Sequence, residues 1–329
     1  MKYDVISFGS VILDVFLKSP DFRIVKSKNA FVQRLLTIPY GIKSEVSDLL
    51  MASGGGGTNT SVGFARLGLQ SAAAGRCGWD FAGKMIRQEL KKEKVNDEFL
   101  NQIEGEKTDY STILIGPDGN RTILVYRGGT KIDSSLIDFK KINSSWFYIA
   151  SLEGNLDLLE ELVTFAQKNK IKIALNPGKK EILQKERLLK ICQKATVLTL
   201  NEEEFGSLTD LSLSKIKTRQ ELNKLLPKTL VVVTLGEKGV NVFQSDKGYL
   251  MMESFKVKMV DQTGAGDGFG SGFIAGLIKG FSLEKSLQLG AANGASVVGK
   301  IGAKTGLIKI TEIDYWLDKK LKYQWSKVK

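Results

Sequence analysis

The sequence predicts an α/β fold in which parallel strands alternate with helices, together with a small separate β-sheet. Short β-branched runs alternate with amphipathic stretches through most of the 329 residues. One series runs SWFYIAS, DLLEELVTFAQKNK, IKIALNP, EILQKERLLKICQKA and TVLTLN, which predicts strand, helix, strand, helix and strand. Such a series indicates parallel strands joined by right-handed helical crossovers. The segment TLVVVTLGEKGVNVF that follows predicts a hairpin.

The amino-terminal part of the chain has the same rhythm. YDVISFG predicts a strand, residues 58–67 predict a helix, SAAAGRCG predicts a strand and FAGKMIRQELKKEKV predicts a helix. The first residues lack the basic region and cleavage site of a signal peptide, which favours a strand there. We expect Asp14 at the end of this first strand, where α/β sheets bind ligands, although a plain turn residue is the alternative.

Two segments break this rhythm and predict the small sheet. Residues 15–50 lack a clear helix, and residues 108–128 contain two alternating strands around a PDGN turn, which is typical of a β-hairpin. We therefore assign residues 1–14, 51–107 and 129–329 to the α/β core and the two segments to a lid over the sheet edge. An exposed lid sheet invites pairing, so a homodimer formed through the lid is a further expectation.

Composition excludes several classes of function. The chain has no histidine, which excludes Ser/His/Asp and Cys/His nucleophilic sites and imidazole bases. Its only cysteines, Cys77 and Cys192, are far apart, so we expect neither disulfides nor a cysteine zinc site, and a reducing, cytoplasmic location. No apolar run approaches the roughly 18 residues of a membrane span. The net charge of +12 comes from scattered residues, so we expect phosphate-bearing ligands and no nucleic acid or membrane partner.

The strongest motif is DQTGAGDGFGSGFIAGLIKG, at residues 261–280. Its glycines leave the amides of Gly264, Ala265 and Gly266 unobstructed, and the apolar spacing that follows predicts a helix beginning there. Amides at a helix N-terminus bind anions, including the charge that develops on a transferring phosphoryl group. Asp267 lies in the same turn and could take a proton from an attacking alcohol. For an isolated motif, a first-turn charge favoured by the helix dipole is the alternative.

A second glycine motif is SGGGGTNTSVGFARLG, at residues 53–68. Glycines before a helix suit close approach of the backbone to a ligand, and the Asn59 amide can donate and accept hydrogen bonds toward hydroxyl groups. Neither the dinucleotide fingerprint GxGxxG nor the phosphate-binding loop GKS or GKT is present. Asn201 and Glu204, after the strand TVLTL, could reach Mg²⁺ or its waters, with a helix N-cap as the alternative. TLGEKG, at residues 234–239, is either a nucleotide loop or a plain hairpin turn.

In this order, the motifs resemble the ribokinase or PfkB family of carbohydrate and nucleoside kinases, nearly from end to end. The resemblance implies a doubly wound α/β/α sandwich with a β-sheet lid, and ATP with Mg²⁺ as cofactors. It implies Asp267 as the base and the 264–266 amides as the anion hole. It also implies a substrate site formed by Asp14, Gly55, Gly56, Asn59 and Glu153, and a nucleotide site formed by Asn201, Glu204, Thr234, Gly236, Gly239 and Asn293, with Glu204 reaching Mg²⁺ through water.

Departures from the family pattern bear on the substrate. Ribokinases resemble GSINAD and GGKGAN where this chain has GSVILD and GGGGTN, so Ile12 and Gly56 replace a polar Asn and a Lys. The loss of two polar contacts argues against ribose and favours a fructose-like hexose phosphorylated on a primary hydroxyl. A nucleoside kinase is the first alternative, because Ile12 and Phe16 beside Asp14 could accept a base. A binding regulator without turnover is the second.

The resemblance also implies a monovalent cation, K⁺, beside the anion-hole turn. Asp261 and Thr263 open that turn, and the loop GKIGAKTG around Gly302 and Ala303 could supply carbonyl oxygens. The alternative is that Asp261 only caps a strand end and Gly302 only turns the chain.

Overall fold

The computed structural model describes residues 1–27, 33–129, 132–213, 218–245 and 247–326. The strands are β1 (Tyr3–Phe8), β2 (Ile12–Lys18), β3 (Arg23–Lys26), β4 (Arg34–Thr37), β5 (Asp48–Gly54), β6 (Ser71–Gly78), β7 (Asn96–Ile103), β8 (Asp109–Ile115), β9 (Arg121–Tyr126), β10 (Ser144–Ile149), β11 (Lys172–Leu175), β12 (Val197–Asn201), β13 (Leu230–Thr234), β14 (Val240–Gln244), β15 (Gly248–Met252) and β16 (Tyr323–Ser326). The α-helices are α1 (Gly56–Arg66), α2 (Phe81–Lys92), α3 (Leu156–Lys168), α4 (Lys179–Ile182), α5 (Lys185–Cys192), α6 (Glu202–Thr209), α7 (Thr218–Leu225), α8 (Ala265–Ile278), α9 (Leu283–Val298) and α10 (Ile313–Leu317).

A ten-stranded sheet forms the centre of the core, in the order β16-β15-β14-β13-β12-β11-β10-β1-β6-β7. The strands from β7 to β13 in this order pair in parallel, and β14, β15 and β16 extend the sheet antiparallel. The predicted series of strands and helices is confirmed, including the β13–β14 hairpin, except that one predicted helix forms two. The carboxyl ends of the parallel strands meet at one edge of the sheet, which is where open α/β sheets bind ligands.

Helices cover both faces of this sheet, as the doubly wound class requires. On β10, Trp146 and Tyr148 face a cluster that includes Phe64 of α1 and Phe273 of α8. The alternate residue Phe147 faces the opposite cluster, formed with α3, α5 and α6. This alternation follows from the period of two along a strand. The α/β/α sandwich predicted from the sequence is therefore confirmed.

The segment EILQKERLLKICQKA, predicted as one helix, forms two. It breaks at Gln184, which has φ −99° and ψ 45° and precedes α5. The break lets two side chains reach back to the loop after β10. The Glu181 carboxylate accepts from the N–H groups of Leu152 and Gly154 at 2.7 and 2.8 Å, and the Gln184 amide donates to the Gly154 carbonyl at 2.9 Å. The prediction of a single helix was wrong, because the backbone leaves the helical conformation at Gln184, where these two side chains bond to the loop.

The separate sheet has the order β5-β2-β8-β9, beside a small β3–β4 hairpin. Its β8–β9 hairpin is the one predicted around the PDGN turn. The first strand ends at Phe8, so the expectation that Asp14 ends it was wrong; Asp14 lies within the lid strand β2. We expected boundaries between core and lid at residues 14 and 51, and strands β2 and β5 continue through both positions. Leu13 and Val15 of β2 pack in one cluster with residues of the core.

The lid sheet carries exposed apolar side chains on both of its faces, among them Leu49, Met51, Ile123, Leu124 and Tyr126. The homodimer through the lid stays a prediction.

Cys77 and Cys192 are both buried and unpaired. Among the described residues, no helix is both long enough and apolar enough to cross a membrane.

Helices α1 and α8 pack side by side at unusually short range. A Cβ atom on Gly63 would overlap the Ser271 hydroxyl oxygen and lie 2.7 Å from Ser271 Cβ. Ser271 has little freedom to move, because it is buried and its hydroxyl donates to the Asp267 carbonyl at 2.7 Å. Residues 59 and 267 lie one turn before this contact on the same helix faces. The Gly63–Ser271 contact therefore sets the distance between Asn59 and Asp267.

We expect Gly63→Ala to destabilise the fold by about 1 to 2 kcal/mol, because the cost of overpacking exceeds the gain in helix propensity. Urea unfolding at neutral pH measures this change. Gly206→Ala in α6 is the matched control. Its new Cβ would have the Leu211 carbonyl oxygen at 3.8 Å as nearest neighbour, so we expect no loss of stability. Equal stability of the two variants would contradict the proposed packing constraint.

Candidate active site

The turn before α8 has the geometry expected of an anion site. Gly264 has a φ of 77°, and a Cβ there would lie 2.5 Å from Ala303 Cβ, so both backbone conformation and space require glycine. No described side chain caps α8, and a Cβ on Gly266 would meet open space. Within the first turn, the Ala265 N–H donates to the Gln262 carbonyl at 3.3 Å. The other N–H groups of this turn have no partner within the helix and lie at the positive end of its dipole, beside the open space at Gly266.

Asp267 lies in this first turn and is held from α1. The Asn59 side-chain amide donates to Asp267 Oδ2 at 2.8 Å, across 208 positions of the sequence. Burial raises the pKa of the Asp267 carboxyl, and the Asn59 hydrogen bond and the nearby Lys304 charge partly oppose that rise. The result is a half-buried carboxyl group, positioned beside an anion site and with an elevated pKa, as a proton acceptor needs.

The glycines of the second motif bring α1 close to this carboxylate. Gly55 precedes α1 with a φ of 87°, and none of the described side chains caps this helix either. A Cβ on Gly56 would lie 2.5 Å from Ala150 Cβ and 3.7 Å from Asp267 Oδ1. Gly56 therefore lies beside the Asp267 carboxylate and leaves no room for a larger residue, and its role in substrate binding stays a prediction.

Lys304 is a site residue that the sequence reasoning missed. It is 4% exposed, forms an ion pair with Glu89 at 3.3 Å, and donates to the Ser53 carbonyl and hydroxyl and to Asn59 Oδ1 at 3.4 Å. An ammonium group can only donate, so the Asn59 amide must turn its oxygen to Lys304 and its NH₂ to Asp267. Burial lowers the pKa of Lys304, and the nearby carboxylates oppose this. The sequence offered one signal for this residue, which is that Lys304 lies in the loop GKIGAKTG beside Gly302 and Ala303.

Asp14 projects from the lid strand β2 toward the same region. It is 8% exposed, and a Cβ on Gly54 would lie 2.5 Å from Asp14 Cγ. Burial raises the pKa of Asp14 to about 6, while Lys304 and a hydrogen bond from Ser111 lower it and Asp267 and Asp261 raise it. The structure therefore brings Asp14 and Asp267 into electrostatic contact, although one lies on the lid and the other on the core.

Glu153 lines a small cavity with polar residues, Ser10, Arg76 and Asp109, and with apolar residues, Val11, Ile132 and Leu152. Its backbone has a φ of 58°, which is uncommon for a residue with a side chain. Arg127 bridges Asp109 and Glu153 at 2.8 and 2.7 Å, joining the lid to the core. Glu153 therefore lies where the lid hairpin contacts the core.

The residues expected to bind a nucleotide lie farther along the same sheet edge. Asn201 ends β12 and pairs in register with Thr234 at the end of β13. Asn201 and Glu204 form a reciprocal capping box, each side chain accepting from the other's N–H at 2.9 Å. The bond from the Asn201 N–H uses Glu204 Oε2, so Glu204 Oε1 is available to another partner. Burial raises the pKa of Glu204.

The TLGEKG turn is a genuine tight turn as well as a candidate nucleotide loop. Gly236 and Gly239 have φ values of 60° and 106°, and a Cβ on Gly239 would overlap the Met252 carbonyl.

Asn293 does not fit the nucleotide-binding role expected of it. It is fully buried, donates to the Gly268 carbonyl at 2.8 Å and accepts from Ile308 N–H at 2.8 Å, so its amide supports α8 from within the core.

Asp261 and Thr263, the expected cation ligands, bond to each other. Asp261 Oδ1 accepts from the Thr263 N–H and hydroxyl at 2.9 and 2.7 Å, and Oδ2 accepts from Gly302 N–H at 2.9 Å. Arg121, from the lid, also donates to Oδ1 at 2.8 Å. Within the described ranges, no group of three or more His, Cys, Asp or Glu side chains is placed to hold a metal ion.

We expect Asp14→Asn to stabilise the protein at neutral pH. The folded pKa, about 6, lies above the ordinary 3.8, so the unfolded chain loses this proton first and stability falls as pH rises from about 4 to 6. Asparagine removes this loss, which is worth up to about 3 kcal/mol above pH 6. Urea unfolding at pH 4 and 7.5 tests this, with exposed Asp48→Asn on the same sheet as control. A gain of the same size at both pH values would refute the assignment.

Comparison with known proteins agrees with this geometry. The family model "pfkB family carbohydrate kinase" matches residues 4–310. A ribokinase of Lactococcus lactis is 30% identical over 81% of this chain and 86% of its own length. A probable fructokinase-3 of Arabidopsis thaliana is 29% identical over 79% of this chain and 81% of its own length.

The nucleoside kinase of Methanocaldococcus jannaschii, a solved structure, has a TM-score of 0.74 and 25% identity, covering 97% of this chain and 99% of its own. These relatives carry three different substrate names, so their similarity establishes the reaction class and leaves the acceptor open. The chain belongs to the pfkB family of carbohydrate kinases and is a phosphotransferase that acts on an alcohol group of a sugar or nucleoside.

Proposed function

We propose that this protein transfers the γ-phosphoryl group of ATP to a primary hydroxyl of a fructose-like hexose, with Asp267 as the base. The observation that carries the proposal is the Asp267 carboxylate, held by Asn59 at 2.8 Å beside the uncapped start of α8. A proton acceptor and an anion site within one helical turn are what phosphoryl transfer to an alcohol requires.

The reaction follows from this arrangement. Asp267 takes the proton of the attacking hydroxyl as its oxygen forms a bond to the γ-phosphorus. The bond from that phosphorus to the β–γ bridging oxygen breaks, and ADP leaves. The N–H groups at the start of α8 stabilise the charge on the transferring group. Bound Mg²⁺ supplies neutralisation of the phosphate charge, and the free oxygen of Glu204 suits one of its waters. The proton remains on Asp267 until it is lost to solvent.

The lining of the cleft favours a sugar over a nucleoside. Phe16, the side chain that could have stacked on a base, is 2% exposed and packs beneath the cleft. The cavity at Glu153 is lined by charged groups, including Arg76 and Asp109. Arg76 is ion-paired with Glu106 and Asp109 with Arg127. Hydroxyl groups both donate and accept, so a sugar can add hydrogen bonds to such pairs more readily than an aromatic base. The intact set of Asn59, Asp267 and the 264–266 turn also supports turnover over a purely regulatory binding role.

A coupled ADP-release assay with hexoses, pentoses and nucleosides as acceptors tests the proposal. We expect the highest kcat/KM with a ketohexose. A nucleoside preferred over every sugar would establish the alternative acceptor class, and ATP binding without turnover on any acceptor would establish the regulatory role.

We expect Asp267→Asn to lower kcat by about 10²-fold or more, because general-base catalysis typically supplies about 10² to 10⁴. ATP binding, measured by calorimetry, should persist because the 264–266 amides are unchanged. Exposed Asp314→Asn on α10 is the control. A kcat within about threefold of the parent would remove Asp267 from the mechanism.

Lys304→Met should move the acid limb of the kcat/KM profile to higher pH. The Lys304 charge lowers the pKa of Asp267, so its removal raises that pKa, and the base ionises only at higher pH. Lys300→Met removes the same charge from an exposed position on the same loop and should leave the limb in place. A lower rate with an unmoved limb would mean that Lys304 serves folding alone.

A further inference from the structure

We propose that the Arg121 guanidinium takes the place of a monovalent cation at Asp261, and that it thereby couples the lid to the anion-hole turn. Arg121 is the first residue of β9, on the lid hairpin, and Asp261 opens the turn that leads to Asp267. The guanidinium donates to Asp261 Oδ1 at 2.8 Å, across 140 positions of the sequence. This inference rests on the proposed phosphoryl transfer for its kinetic consequences alone.

The Asp261 carboxylate already accepts four hydrogen bonds from protein groups. Its Oδ1 accepts from Arg121 and twice from Thr263, and its Oδ2 accepts from Gly302 N–H. Three donors exceed the roughly two lone-pair sites of Oδ1, so a cation at that oxygen would have to displace one of them. The strongest of the three is Arg121, because it is charged. The carboxylate oxygen expected to hold K⁺ is therefore engaged by protein donors.

The charge balance at Asp261 also argues against a bound cation. Asp261 is 6% exposed and its buried negative charge needs a positive partner, which Arg121 supplies. Arginine remains protonated at every pH relevant to proteins. An added cation at Asp261 would lie beside the guanidinium and be repelled by it. Arg121 therefore serves as the counter-ion of Asp261, and the site does not need a cation from solution.

Because Arg121 belongs to the lid, its ion pair with Asp261 has a second effect. Asp261 also binds Gly302, whose neighbour Ala303 packs against Gly264, so the carboxylate joins both sides of the anion-hole turn. Arg121 reaches this carboxylate from the lid hairpin, and the ion pair therefore forms when the lid covers the core. Arg121 is a positioning residue, since it acts on the amides through Asp261. Arg34 offers a contrast, because its partner Asp118 lies within the lid.

The test compares KCl with tetramethylammonium chloride at constant ionic strength, which separates a bound ion from screening. We expect the parent kcat to be equal in the two salts within about twofold. Arg121→Gln should lower kcat in tetramethylammonium by about tenfold and recover in KCl, because the vacated carboxylate can then bind K⁺. Arg121→Lys keeps the charge and should respond like the parent. Arg34→Gln, the control, should also respond like the parent.

Three results would overturn the proposal. They are activation of the parent by K⁺, the same response to K⁺ in Arg121→Gln as in the parent, and a loss of activity in Arg121→Gln that K⁺ does not restore.

A second measurement needs no turnover. The melting temperature of the parent should be the same in the two salts, because no K⁺ binds, whereas Arg121→Gln should melt higher in KCl. A parent that is stabilised by K⁺ would refute the replacement. If no acceptor is phosphorylated but the melting temperatures behave as expected, the proposed function fails and the Arg121 assignment stands.

Discussion

The close packing of α1 against α8 is the constraint on which the rest of this site depends. Each helix starts with glycines and without a side-chain cap, and each would by itself be only a helix N-terminus. Their contact brings Asn59 within hydrogen-bonding distance of Asp267 and holds both glycine turns at one edge of the sheet. The geometry of the candidate site is thus a property of a helix pair whose members lie about two hundred positions apart in the chain.

The buried charges around this pair balance one another without histidine. Lys304 lies between Glu89, Asn59 and the two carboxylates Asp14 and Asp267. Burial raises the pKa values of these two carboxyls and lowers that of the lysine, and the attraction between Lys304 and nearby carboxylates opposes both shifts. Asp14, with a pKa of about 6, can titrate in the range that imidazole serves in other proteins. The lid contributes Asp14 and Arg121, so the electrostatics of the site are complete only when lid and core are together.

The sequence predicted the fold class and the family, because those depend on local patterns. Strand and helix periodicity, the two glycine motifs and the 108–128 hairpin are each readable within about twenty residues. The predictions that failed depend on long-range packing. The helix predicted over residues 181–195 is broken at Gln184, where Glu181 and Gln184 bond to the loop at Gly154. Asn293 is turned inward and supports α8, and Asp14 lies in the lid strand. Lys304 and Arg121 were missed because no local pattern says which carboxylate a distant cation will meet.

The Gly63–Ser271 contact also has an evolutionary consequence. The two positions share one small volume, so an increase in size at either one must be met by a decrease at the other if the helices are to keep their distance. A single substitution at either position would shift Asn59 relative to Asp267. In relatives that retain the chemistry, positions 63 and 271 should therefore change together, and a glycine lost from α1 should reappear in α8.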